Sequence, residues 1–558
     1  MGGEYHREVI ATAATLAPPH EGGYRPAASG TGGVVTAAHG LAGTAGLRLL
    51  LEGGNAVDAA VAVGAALSVV EPYMSGLGGG GGFMLIYDAP SRRISALDYI
   101  GRTPGAADPA AFTDLEALGV DIRSSTVPGI LGGWMAALER FGWRQPAAVF
   151  APAIELAERG YPVSAFGARM ATEQLERLNR YPSSVAGYLP DGRPPRVGSV
   201  ARQPALAQTY RELSKGGADL MYRGALGRRM VEAVQAAGGW LTEADLAAFS
   251  PSWLEPLAID YRGRRVHSAP PPSLGFQYLE SLAILDGFDV VGLGHNSANY
   301  LHLLLETIKL ASADRTAYAR AGLPTVEALL EPAYARERAT HIDRARAAPS
   351  EGERYLPDKT NQVAPGDPRR FVRDHTTHFE VADRYGNLVV VTQSNGAAFG
   401  NGFVAGDTGI LMNNFLYWTD LDPSSPSYLR PNGVRDSAMA PCIVTEEDEA
   451  VLGIGTPGSF GILQTTLQMV LNRLDFGMTV QAAIEAPRVR AFEGTSVHME
   501  SRIAEETRAA LTALGHEVVE LDAWDWHVGG GQGIVRDPRT GVLSAGADPR
   551  RDGQAVAI

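Results

Sequence analysis

From Gly33 onward the chain alternates dense apolar stretches with short polar breaks. The clearest stretch is A-V-D-A-A-V-A-V-G-A-A-L-S-V-V at 56–70, which is apolar almost all round. Such a pattern predicts a helix buried on every side rather than an amphipathic surface helix. Gly53, Gly54 and Asn55 precede it and Pro72 ends it. Five glycines at 78–82 lead into F-M-L-I-Y, a short strand. No Gly-Lys-Ser/Thr follows and the next element is a strand, so a phosphate-binding loop is excluded; the glycines instead permit close backbone packing. Leu301, Leu304, Leu305 and Ile308 fall on one helical face behind Ser297, a good N-cap. Further on, F-E-V-A-D-R-Y-G-N-L-V-V-V-T-Q-S-N at 379–395 has two β-prone stretches around a polar turn, a hairpin pattern. Residues before about 33 are rich in Ala, Pro and Gly and predict a loose lead-in over 1–32. Residues 334–375 are rich in Arg, Asp, Glu and Pro, which predicts a solvated helix and then a mobile loop over 348–375. No period of 20–50 residues recurs, which excludes a solenoid.

Composition narrows the class. The 558 residues are 45% hydrophobic and 20% charged, as expected of a globular chain with ample core. A formal net charge of −14 leaves no broad basic field to neutralise phosphates, so a nucleic-acid partner is not expected. Cys442 is the only cysteine and its setting, M-A-P-C-I-V, predicts a buried structural thiol. The 56–70 stretch contains Asp58 and is too short to span a bilayer comfortably. The first residues include acidic positions and lack the long apolar core of a signal peptide, so the expectation is a cytoplasmic protein without a membrane partner. No clustered Cys/His pattern suggests a metal, and no cofactor is expected.

The candidate chemistry lies at D-H-T-T-H-F, 374–379. Taken alone, Thr376 and Thr377 are ordinary β-branched strand residues. They are followed in order by F-G-N-G-F at 399–403, G-I-L-M-N-N at 409–414 and G-T-P-G-S at 455–459. Upstream lie S-S-T-V-P-G at 124–129, A-P-A-I-E-L-A-E-R-G at 151–160 and P-P-P-S-L-G at 270–275. This set, over roughly 35–555, resembles the γ-glutamyltransferase (glutathione hydrolase) family of N-terminal nucleophile hydrolases.

The resemblance implies an α/β (α+β) fold, the four-layered αββα sandwich of that superfamily, formed jointly by two autoproteolytic fragments. It implies a precursor that cuts its own His375–Thr376 bond into 1–375 and 376–558, which stay together as a heterodimer. The chemistry explains the cut. A threonine hydroxyl is a weak nucleophile without an adjacent base, and a free α-amine has a reference pKa of about 7.7–8.0. Thr376 would then supply both nucleophile and base. Ser394 falls where the family has a hydroxyl contacting the nucleophile. Gly458 and Ser459 fall on the Gly-Gly whose N–H groups form the oxyanion hole, a role open to any residue whose backbone fits.

Substrate-binding positions depart from the family pattern. In D-Y-I-G-R-T-P, at 98–104, Ile100 stands at the position of the arginine that holds a γ-glutamyl α-carboxylate, with Arg102 two residues on. Gly396 replaces an asparagine, Phe415 and Trp418 replace the Gln and Asp that receive the α-amino group, and of a serine pair Ser437 remains beside Ala438. Arg102, Phe415, Trp418 and Ser437 are therefore the candidate contacts for a small-molecule substrate. Three functions follow: hydrolysis or acyl transfer of a γ-glutamyl or related amide; hydrolysis of a C–C bond in a proline-derived intermediate, as in an antibiotic-biosynthesis branch of the family; or a catalytically dead binding homologue.

Overall fold

The computed structural model describes residues 23–350 and 374–558, except Pro426. Two seven-stranded sheets face each other. One runs in the order Ala28–Gly30, Leu543–Ala547, Gln532–Arg536, Glu449–Gly455, Cys442–Glu446, Arg264–Ser268, Leu257–Tyr261. The other runs Gln554–Ala557, Gly33–Ala37, Asp374–Asp383, Leu388–Ala397, Gly81–Asp88, Arg93–Asp98, Ser252–Leu254. The Gly40–Leu51 and Ala56–Val70 helices cover the second sheet, and Phe276–Leu285, Gly461–Leu474 and Val480–Glu485 cover the first. This is the expected αββα sandwich.

Strand alternation builds both cores. Val34, Phe83, Leu85, Tyr87 and Val390 point into the core shared with the first sheet, while Val35, Met84, Ile86, Val389 and Val391 meet the outer helices. The strands are thus apolar on both faces, as sheets covered on both sides must be. Each Val or Leu so buried stabilises by about 1.5–3 kcal/mol over exposure. The Ala56–Val70 helix is buried at every residue and carries a capping box from Asn55 and Asp58. Asp383, in the hairpin turn, accepts the Ala56 N–H at 2.8 Å, so the 374–397 hairpin is tied to the start of this helix.

Segments from both sides of residue 375 interleave in the sheets. Gly33–Ala37 lies between Gln554–Ala557 and Asp374–Asp383, and Leu388–Ala397 pairs with Gly81–Asp88. Separating 1–375 from 376–558 would expose both cores. The glycine run acts as close packing: a Cβ on Gly78 would lie 2.1 Å from the Leu411 carbonyl oxygen, and one on Gly80 2.3 Å from the Phe415 ring. Ser297 caps the Ala298–Tyr318 helix as its spacing predicts. Burial pushes the Cys442 thiol up to about 12, so it is a core group rather than a reactive one.

Two expected loose segments are partly ordered. The lead-in holds an edge strand, Ala28–Gly30, paired with Leu543–Ala547. Its three residues carry too little apolar pattern to announce it. Residues 1–22 lie outside the described chain. Beyond the Pro332–Ala339 helix, Ala348 donates its N–H to Glu306 at 3.0 Å and its carbonyl accepts from Lys309 at 2.7 Å. Ser350 pairs with Gly494 through both backbone groups. The chain is therefore pinned as far as Ser350, and the rest of the expected loop, 351–373, lies outside the described residues. Among the described residues, no helix is long and apolar enough to cross a membrane.

Candidate active site

The Asp374–Asp383 strand crosses the bond expected to be cut, in the middle of its sheet. Its register with Leu388–Ala397 breaks there: His375 pairs with Gly396 but Thr377 pairs with Gln393. Thr376 thus faces the two residues Ser394 and Asn395, a bulge of the kind that re-aims a side chain. Thr376 is buried, and its Oγ1 has no hydrogen-bond partner among the described residues. A buried hydroxyl without a partner is uncommon and calls for an explanation.

Ser394 lies opposite, its Oγ accepting the Gly396 N–H at 2.8 Å. Gly396 has φ +99, and a Cβ there would lie 2.2 Å from Asn414 Oδ1 and 3.4 Å from Phe415. The room for a side chain at this position is filled by Asn414 and Phe415. Asn414 also accepts the Ala397 N–H and donates to the Gly119 carbonyl, which fixes the loop beside the bulge.

Thr377 points to the other side of the strand and donates its hydroxyl to Glu71 at 2.7 Å. Glu71 ends the buried helix, and burial pushes its carboxyl up to about 8. Two residues past Thr376, His378 bonds Thr392 Oγ1 at 2.8 Å and Glu380 at 3.0 Å. Burial drives the His378 imidazole down to about 3 and the Glu380 carboxyl well up, so this is a neutral hydrogen-bonded pair rather than an ion pair. His378 also packs where any side chain at Gly455 would sit, its Cε1 2.4 Å from that Cβ position.

That contact brings the Asp374–Asp383 strand to the end of Glu449–Gly455, from which the Gly458–Ser459 turn departs. Gly458 has φ +133 and Ser459 φ +57, and the Gly461–Leu474 helix starts immediately after. Consecutive left-handed residues before a helix N-terminus turn N–H groups and the positive end of the helix dipole the same way, a setting that favours developing negative charge.

The substrate-side candidates divide. Ile100, Phe415 and Met439 belong to one core cluster, with Trp418 and Ala438 packed against it. Phe415 and Trp418 lie with ring centroids 4.5 Å apart. Ser437 is buried, and its Oγ accepts the Met439 N–H at 3.3 Å. Arg102 is exposed and reaches outward, approaching the Asn432 carbonyl at 3.5 Å. The pattern of the sequence did not single out Arg435, a fully buried guanidinium 4.8 Å over the Phe415 ring. Glu71 was missed too. Its signal was a carboxylate closing an otherwise apolar helix.

The sheet order, the central hairpin and the turn beside the helix define an N-terminal nucleophile hydrolase architecture. The sequence profile of the family described as gamma-glutamyltranspeptidase matches residues 42–558, and the chain belongs to that family. It is 34% identical to a glutathione hydrolase proenzyme of Bacillus subtilis, over 96% of this chain and 93% of that one. It is 36% identical to an acylase ACY 1 proenzyme of a Pseudomonas strain, over 95% and 94% of the two chains. Among solved structures, a cephalosporin acylase from Bacillus halodurans superposes with a TM-score of 0.86 at 33% identity, covering 97% of this chain and 98% of that one.

Proposed function

We propose that the chain cuts itself at His375–Thr376 and that the mature heterodimer hydrolyses an amide whose acyl group is not γ-glutamyl. The observation that carries this reading is the bulge that sets an unpartnered, buried Thr376 hydroxyl opposite Ser394. In the precursor the Thr376 oxygen attacks the His375 carbonyl carbon, and the peptide shifts to an ester that water opens, leaving a free amine on Thr376. In the mature site that amine takes the hydroxyl proton as the oxygen attacks the substrate amide. The Gly458 and Ser459 N–H groups face the tetrahedral oxyanion; its collapse breaks the C–N bond as the Thr376 ammonium returns the proton to the departing amine, and water then hydrolyses the Thr376 ester to the free acid and the hydroxyl.

The acyl preference rests on the pocket. A γ-glutamyl head brings an ammonium as well as a carboxylate, and burying an unpaired charge costs several kcal/mol, to order of magnitude. Phe415, buried in the core, and Trp418, packed against it, stand where polar receivers would be needed and make that position apolar and π-rich instead. Names among the relatives cover both glutathione hydrolases and acylases; this pocket favours the acylase side. The test compares purified, matured protein on γ-glutamyl-p-nitroanilide and on p-nitroanilides of unsubstituted acyl chains. The expected result is faster turnover of acyl chains that lack the α-amine. Faster turnover of the γ-glutamyl compound would overturn the reading.

A further inference from the structure

A cavity of about 250 Å³ opens where the buried Ala56–Val70 helix ends, lined by Val70, Pro72 and Tyr73. Arg102, Phe415, Trp418 and Ser437 are not among the described residues that line it. Its walls are aromatic: Tyr73, Tyr161 and Tyr188 join Phe399, whose ring centroid lies 5.9 Å from that of Tyr73 and 5.4 Å from that of Tyr188. Burial pushes the Tyr161 phenol up to about 12 and raises Tyr73 and Tyr188 as well, so the hydroxyls are neutral. Among the described lining residues Arg202 alone is charged, and it is exposed. Those residues include no carboxylate to receive an ammonium, and a desolvated unpaired charge is costly. An apolar cavity of about 150 Å³ is enough for a benzene ring. The space therefore suits one uncharged aromatic ring and a short linker.

The cavity is tied to the 374–397 hairpin. Asn395, which faces Thr376 across the bulge, donates its backbone N–H to the Met74 carbonyl at 2.9 Å and its Nδ2 to the Pro72 carbonyl at 3.0 Å. The Tyr73 carbonyl accepts the Phe399 N–H at 3.1 Å. Facing residues of paired strands have Cα atoms about 5 Å apart, which puts the Pro72 edge of the cavity roughly 10 Å from Thr376. The chemistry selects which half of a substrate points there. A Thr376 amine returns its proton to the departing amine, so the departing half lies at the N-terminal end of the strand. At that end Asp374 and His375 pair with Ala397 and Gly396, and Phe399 follows two residues after Ala397. We propose that this cavity holds the amine half of the substrate amide, and that this half carries an uncharged aromatic ring. This rests on the amide-hydrolase reading above and adds the leaving group to its substrate class. Cleavage at His375–Thr376 frees Gly396 and Ala397 of their covering strand and opens the way to Phe399.

The experiment compares N-methylvaleramide with N-(2-phenylethyl)valeramide on purified, matured protein; the acyl group is shared and both leaving groups are alkylamines. Wild-type protein is expected to favour the phenylethyl compound at least tenfold in kcat/KM. Two variants alter the cavity. At Gly187, which lines it, an added Cβ meets only Val404 Cγ2, at 4.0 Å, among the described residues, so Gly187→Phe adds bulk without forcing the backbone. Tyr188→Ala removes the ring beside Phe399. Each should lose at least tenfold on the phenylethyl compound, mainly through KM, and less than threefold on the methyl compound. Equal losses on both compounds, as a purely structural role of the Pro182–Tyr188 helix would give, overturn the proposal, as does a wild type indifferent to the ring. If the matured protein cleaves neither these amides nor the p-nitroanilides, the amide-hydrolase reading fails, and calorimetry with 2-phenylethanol decides the cavity separately. Binding weakened at least tenfold in Gly187→Phe supports an aromatic ligand there, and no binding by the wild type overturns it.

Discussion

Thr377 donates its hydroxyl to Glu71 across 2.7 Å, joining the residue after the candidate nucleophile to the end of the buried Ala56–Val70 helix. The bond holds the strand at the point where its register breaks, and it does so with a carboxyl that burial keeps protonated at neutral pH.

That carboxyl gives a pH signature. Its folded value, about 8, lies above the ordinary 4.5, so between those values the folded chain binds the extra proton. Stability therefore falls as pH rises from 4.5 towards 8 and levels off above, the sign set by the native state holding more protons. Glu71→Gln keeps an acceptor for Thr377 and removes the titration. Its Tm should exceed the wild-type value by a few degrees at pH 8.5 and differ little at pH 4.5, measured by thermal denaturation. A deficit at pH 8.5 would mean that the carboxylate is ionised and paired in the fold.

Thr376→Ala should abolish both self-cleavage and turnover, because the backbone is kept but the attacking oxygen is gone. Thr376→Ser should retain part of each. A gel of the purified variants checks processing, and anilide hydrolysis checks activity. Normal maturation of Thr376→Ala would transfer the role to another group, with Thr377 the first to test.

Ser459 occupies a left-handed backbone position, φ +57, that costs a non-glycine residue about 1 kcal/mol. If its part in the site is a backbone N–H, Ser459→Gly should keep kcat within about threefold and gain up to about 1 kcal/mol in urea unfolding. A loss of kcat of a hundredfold or more would assign the work to the side chain.

Trp418→Asp restores an acid beside Phe415. It should cut kcat/KM for an unsubstituted acyl anilide at least tenfold while leaving γ-glutamyl-p-nitroanilide unchanged or improved. The comparison of kcat/KM isolates transition-state binding of each acyl group. Equal loss on both would show that Trp418 supports the pocket without choosing the substrate.

Much of this architecture was legible in the residues because local pattern and tertiary role agree. The 56–70 stretch, apolar almost all round, is the helix buried at every position, and the hairpin read from Phe379 onward pairs antiparallel from Phe379–Val391 to Ala382–Leu388. The five glycines are close contacts, as the absence of a phosphate-loop lysine implied. Other features depend on long-range geometry that no local pattern records. Glu71 meets Thr377 from 306 positions away, and Arg435 comes to Phe415 only through packing of the Asp98–Gly101 turn. Arg102, nearer in sequence to the missing arginine, points outward because the next turn carries it to the surface.

The central claim is that the working nucleophile is an N-terminal Thr376 made by self-cleavage. Intact-mass analysis and N-terminal sequencing of the purified, active protein test it most directly. The account requires two associated fragments, with the smaller beginning Thr-Thr-His-Phe and ending at Ile558. An uncut chain of 59.0 kDa with full activity would contradict it.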